Sequence, residues 1–171
     1  MVSHFERPFF LFLLMKYTRL TKEQFNELHT EFSTFLATQK IDKREWDQLK
    51  LQNPEIAEQE LDLFSDLVWE RVLRKVQYLE HFSKNHIFLF ECFEKEIKSI
   101  ILKSFDSKVN FLTKEGLQYL SDSLFTEKID LKIGTKLFSE DKNLDLFQLI
   151  QQGAIISDGQ LYKQIDTIIN K

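Results

Sequence analysis

The feature that most constrains this chain is a long stretch with no helix breaker in it. Asn53 and Pro54 open the stretch, and neither glycine nor proline recurs before residue 80. Proline costs nothing at a first helical position, where an N–H would have no intrahelical partner. Read as one helix from about 54 to 80, the stretch spans roughly 40 Å and is the longest element available. On a wheel turning about 100° per residue, Ile56, Ala57, Leu61, Leu63, Phe64, Leu67, Val68, Val72 and Leu79 gather in one broad sector, predicted as core. Glu55, Glu58, Asp62, Asp66 and Glu70 lie opposite, and Arg71, Arg74 and Lys75 come late, an order that suits the helix dipole.

Local signals on either side of this rod set the other elements. Thr21 and Gln24 form a capping box, with Leu20 and Phe25 as its hydrophobic staple. Phe25, Leu28, Phe32, Phe35 and Leu36 then recur at helical spacing as far as about Thr38. Ile41, Asp42, Glu45 and Trp46 repeat the device for a short helix ending near Gln52. After His81 the period changes, and His86 to Phe93 and Ile97 to Phe105 read as two strands joined through Glu94 to Glu96. Thr113 heads a helix carrying Leu117, Leu120 and Leu124. Ile129, Leu131 and Ile133 alternate as a strand, which Gly134 and Thr135 are expected to turn back through Leu137 and Phe138. Ser139 is the expected cap of a helix with Leu144, Phe147 and Ile150, closed by Gly153. Ser157 and Gln160 read as a last capping box, ahead of Leu161, Ile165, Ile168 and Ile169. The expected fold is α+β: an N-terminal helical layer on the long helix, a small, mostly antiparallel sheet, and C-terminal helices. With seventeen phenylalanines, the core is expected to be aromatic-rich.

The apolar run Phe9 to Met15 is too short to cross a bilayer, which takes about 20 residues, and no Ala-x-Ala cleavage site follows it. Helix-start signals begin directly after Met15. That residue is therefore read as the start, residues 1–14 as an upstream extension or poorly ordered segment, and residues 15–171 as a single α+β domain. Without 1–14 the chain loses Glu6 and Arg7 together, so its net charge of -4 holds for either start. That charge disfavours a dominant grip on nucleic acid or anionic lipid. One cysteine, Cys92, cannot close an intramolecular disulfide, and the cysteine usage suits a reducing compartment.

The chain contains few of the usual signs of chemistry. Its four glycines, Gly116, Gly134, Gly153 and Gly159, supply neither a Walker loop nor a dinucleotide fingerprint, and no G-x-S-x-G elbow occurs. His81, His86 and Cys92 lack the ligand set of a zinc site, and Cys92 sits in an apolar strand where burial raises a thiol pKa. Glu58, Asp62, Asp66 and Glu70 form an i, i+4 carboxylate ladder, but the Glu-x-x-His of dimetal bundles is missing. No catalytic, metal or cofactor residue is assigned. Trp69 and Leu73 project from the polar side of the rod with Val76 beside them, which makes these three candidate apolar anchors for a protein partner. Glu58, Asp62 and Asp66 would be its steering charges. An alternative is RNA contact through Lys95, Lys98, Lys103 and Lys108 beside Phe88, Phe90 and Phe93, since aromatics on a sheet can stack bases.

Two segments, MKYTRLTKEQFNELHTEFSTFLATQKIDKREWDQLK and NPEIAEQELDLFSDLVWERVLRKVQYLEHFS, resemble an uncharacterised family of Bacteroidota proteins, a domain of unknown function. The resemblance is strongest from Met15 to about Phe82. It implies a cytoplasmic bacterial protein and carries no catalytic residues to transfer. Together these readings favour a non-catalytic cytoplasmic interaction or adaptor protein. An RNA- or ribosome-associated factor comes second, and an enzyme without a recognisable motif third.

Overall fold

The computed structural model describes residues 15–170. The expectations for residues 1–14, including most of the apolar run, lie outside the described residues. The described chain forms two compact units, the first ending at Arg71 and the second starting at Val72.

The first unit is helical: α1 (Lys22–Glu27), α2 (His29–Thr38), α3 (Lys43–Gln52) and most of α4 (Pro54–Leu73). Both predicted capping boxes form. Gln24 N–H donates to Thr21 Oγ1 at 3.3 Å while Thr21 N–H donates to Gln24 Oε1 at 2.8 Å. Asp42 and Glu45 make the same reciprocal pair, both bonds at 2.8 Å. The predicted first helix bends at Leu28, where ψ is 23°, dividing α1 from α2. Leu28 N–H still donates to Gln24 C=O and Phe32 N–H to Leu28 C=O, so the helical path is continuous. The bend leaves Phe25, Leu28 and Phe32 all packed on a cluster of Leu20, Phe35, Leu36, Ile41 and Phe64. Phe32 is its hub: edge-on to Phe64 at 5.0 Å between centroids, to Trp46 at 5.3 Å and to Phe25 at 5.5 Å. Such aromatic pairs add stabilisation beyond area burial, which is what the phenylalanine content led one to expect.

The helix predicted to reach about residue 80 stops at Leu73 after 20 residues. Two tight turns close it, Lys75 N–H donating to Val72 C=O and Val76 N–H to Leu73 C=O. Tyr78 to Phe82, which fits the helical stripe through Leu79, is instead a strand. Aromatic side chains suit a pleated surface, and the segment pairs on one side with Ile87–Glu91 across a tight hairpin and on the other with Ile155–Ser157, far along the chain, pairing that a window of periodicity cannot register.

The second unit contains β1 (Tyr78–Phe82), β2 (His86–Cys92), β3 (Glu96–Ser104), α5 (Lys114–Ser123), β4 (Ile129–Leu137), α6 (Lys142–Gln151), β5 (Ile155–Ser157) and α7 (Gln160–Ile169). The strands make one antiparallel sheet in the order β4-β3-β2-β1-β5. The predicted α+β class and antiparallel sheet are thus present. Ile87 lies opposite Leu102 and Leu89 opposite Ile100, so one face of the central strands is a continuous apolar surface. Leu120 of α5 and Tyr162 and Ile165 of α7 complete that core with Val109, Phe111 and Ile129. Phe88, Phe90, Cys92, Ile97 and Ile101 alternate onto the other face.

Three local expectations for this unit change. β4 runs straight through Gly134 to Leu137 because it pairs with β3 along its whole length, and Gly134 faces Ser99. The cap of α6 is Asp141, while Ser139 uses its N–H and hydroxyl to hold Asp145 at 2.7 and 2.9 Å. Ser157 belongs to β5, and α7 starts from Gly159 in the left-handed region at φ 71°. There a side chain has no room: a Cβ on Gly159 would stand 2.3 Å from Cγ of Tyr78. Gly159→Ala is therefore expected to cost about 2 kcal/mol or more, from left-handed strain plus displacement of the Tyr78 ring, measured as a fall in urea midpoint.

Candidate interaction surface

The carboxylate ladder on α4 is occupied by the chain itself. Asp66 accepts from two backbone donors, Lys16 N–H at 2.8 Å and Tyr17 N–H at 3.0 Å. One turn on, Glu70 Oε1 accepts from Lys16 Nζ at 2.5 Å and from the Tyr17 hydroxyl at 2.7 Å. One turn back, Arg19 donates from Nε to Asp62 Oδ1 at 2.6 Å, and its Nη1 reaches Glu58 Oε2. Leu20 N–H donates to the buried Ser65 Oγ at 3.1 Å, and the indole N–H of Trp69 donates to Thr18 C=O at 3.0 Å. Every rung is engaged because a helix with carboxylates four apart presents them on one face, where an extended segment can meet them in turn.

Two ionisable groups register this docking. The bond to Asp62 raises the Arg19 pKa above its ordinary value, burial opposes that shift, and Glu58 adds to it. Burial pushes the Tyr17 hydroxyl up to about 12, and the bond to Glu70 contributes in the same direction.

The three expected apolar anchors are placed differently from one another. Trp69 is half-buried with its N–H engaged, Leu73 is 0% exposed and Val76 is buried, so the last two present no surface. The exposed large apolar residues of α4 are others, Leu63 at 39% and Leu67 at 51%, one turn apart, and Val72 at 39%. All three fall in the predicted core sector of the wheel. Its apolar sector is wider than the arc through buried Ala57 and Phe64 and partly buried Val68, and the signal available was that excess width.

In the second unit the four candidate lysines do not converge. Lys98 shares the core face of the sheet with Ile100, its Nζ 4.9 Å from the Phe93 ring centroid. Lys103 is opposite His86 on the other face. Lys95 sits in the β2–β3 connection, where its C=O accepts from Phe138 N–H, and Lys108 follows β3, its N–H bonded to Asp106. Phe88 and Phe90 do share a face with Lys103. There His86 stacks on Phe88 at 5.8 Å and 10°, and His81 meets the same ring edge-on at 5.8 Å. Cys92 is buried, and that burial pushes its thiol up to about 11. Among the described residues no group of three or more His, Cys, Asp or Glu side chains could hold a metal ion. An open groove of about 380 Å³ runs between Phe90, Ile97 and Ser99 on the sheet and Gln148 and Leu149 on α6. Among the described residues no helix is long and apolar enough to cross a membrane.

The Tyr17 contact yields a signed expectation. Its pKa is raised from 10.0 to about 12 in the folded chain, so its stabilising contribution is complete below pH 10 and is lost as pH climbs through 12. Tyr17→Phe is expected to cost about 1–2 kcal/mol at neutral pH. The variant should also lose less stability than wild type across that alkaline window, as read by urea denaturation at stepped pH.

No curated protein and no solved structure matches the chain. A family model does, over residues 15–170, which takes in all of both units described above. The chain belongs to that family, a family of unknown function designated DUF6495.

Proposed function

We propose that this chain is a non-catalytic interaction protein, an adaptor of the bacterial cytoplasm, with its partner surface along α4. The observation that supports the reading is the pair Leu63 and Leu67, two large apolar side chains one turn apart and open to solvent. Exposed leucines at i and i+4 fit an amphipathic helix laid alongside, with Trp69 at the margin of the same helix. Glu58, Asp62 and Asp66 are already paired with Lys16, Tyr17 and Arg19, so in this reading their charge holds the chain's own segment first and steers a partner only secondarily. The test is a photocrosslinking amino acid at residue 67, expressed in the native cell. A discrete crosslinked protein is expected, and it should disappear when Leu63→Glu is added, with the melting temperature unchanged because a surface site costs within about 0.5 kcal/mol. Crosslinking no stronger than from a probe at exposed Lys75 would count against the proposal.

RNA contact is a second reading, and one observation favours it. Phe88 and Phe90 sit on one sheet face with His81, His86 and Lys103, a stacking platform beside a cation. Labelled cellular RNA retained at low salt, released as salt rises and lost in Lys103→Glu is the expected result. No retention at low salt dismisses the reading.

A further inference from the structure

β4 ends the sheet on one side, and its outer edge is open. From Lys132 to Leu137 every residue is exposed, with Ile133 at 58% and Leu137 at 69%. The ladder with β3 determines which backbone groups face outward. Phe105 N–H donates to Lys128 C=O and Phe138 N–H to Lys95 C=O, so the residues of β4 bonded to β3 are the even-numbered ones. Ile129, Leu131, Ile133, Thr135 and Leu137 therefore point N–H and C=O away from the sheet. Ile129 N–H is used by Thr126 C=O at 3.3 Å, and among the described residues no hydrogen bond reaches the outward groups of the other four.

An edge of nine residues with no proline is normally shortened, bulged or covered. β4 carries Lys132 and Lys136 instead, both on the face away from Ile133. They oppose an arbitrary strand but not a second β4. With two copies antiparallel and centred on Ile133, Ile133 faces Ile133, Leu131 faces Thr135 and Ile129 faces Leu137, all residues with outward groups. On the other face Asp130 meets Lys136 of the second copy, twice by symmetry, and each Lys132 lies across from Gly134, where no side chain crowds it. Moving the centre to Lys132 sets Lys132 against Lys132. Moving it to Gly134 sets Lys132 against Lys136 at both ends. Centring on Leu131 pairs Asp130 with Lys132 but leaves Gly134 to Leu137 beyond the partner's strand. Charge and hydrogen-bond parity together single out one full-length register.

We propose that a second copy of this chain adds to the sheet through β4, antiparallel and centred on Ile133, joining two five-stranded sheets into one across a two-fold axis. This surface is independent of the one on α4. The test is sedimentation equilibrium of the full chain. Wild type is expected at about twice the 20.5 kDa chain mass at 100 µM or below. Asp130→Lys or Lys136→Asp alone sets like charges face to face and should weaken the dimer roughly tenfold or more. The two substitutions combined restore opposite pairs and should restore it. Ile133→Pro removes an outward N–H without touching the β3 ladder, and should give a folded monomer by circular dichroism. A wild-type monomer at 100 µM would overturn the proposal. So would a dimer indifferent to these changes, or a doubly exchanged variant no better than the single ones.

Discussion

The first unit depends on a match of two repeats. Four residues of helix rise about 6 Å, and two residues of extended chain cover about 6.6 Å. The segment Lys16–Leu20 runs antiparallel to α4, so Tyr17 meets Asp66 and Glu70 while Arg19, two residues on, meets Asp62 and Glu58. The match also delivers Leu20 into the aromatic cluster, where it is buried beside Phe35 and Phe64. Exposed ion pairs contribute only about 0–1 kcal/mol each, so Arg19 and Lys16 by themselves would not order the segment. Backbone N–H groups bonded to a carboxylate are stronger contacts, and the buried Leu20 adds apolar area.

That arrangement changes the meaning of the acidic face. A row of carboxylates suggests a metal site or a docking surface for a basic partner, and here the basic partner is intramolecular. The large apolar side chains that α4 leaves exposed are Leu63, Leu67 and Val72. On the sheet, Phe88 packs between the imidazoles of His81 and His86.

Much of the fold was legible where the signal is local. The boxes at Thr21 and Asp42 and the Thr113 cap all follow from contacts within a few residues of chain, which the sequence displays directly. The expectations that changed depend on strand pairing and packing that local periodicity does not display. β1 is a strand because β2 and β5 flank it, and β4 passes Gly134 without turning because β3 lies alongside. At the start of α7 the local pattern at Ser157 gave way to a left-handed Gly159 seated on the Tyr78 ring. On α4 the ladder was visible from spacing, but its occupant lies some forty to fifty residues earlier in the chain. Leu73 and Val76 looked like surface residues only on the assumption that the helix continued past them.

The two bonds to Asp66 come from main chain, not from side chains, and this separates the constraints on the two partners. Almost any residue can occupy position 16 and still offer the same donor, so its identity is free to drift as long as it is not proline. Position 66 has no such latitude, since only a short acceptor reaching from the helix can receive both amides. Variation between relatives should therefore be lopsided across a single contact, tolerant on the strand-like side and intolerant on the helical one.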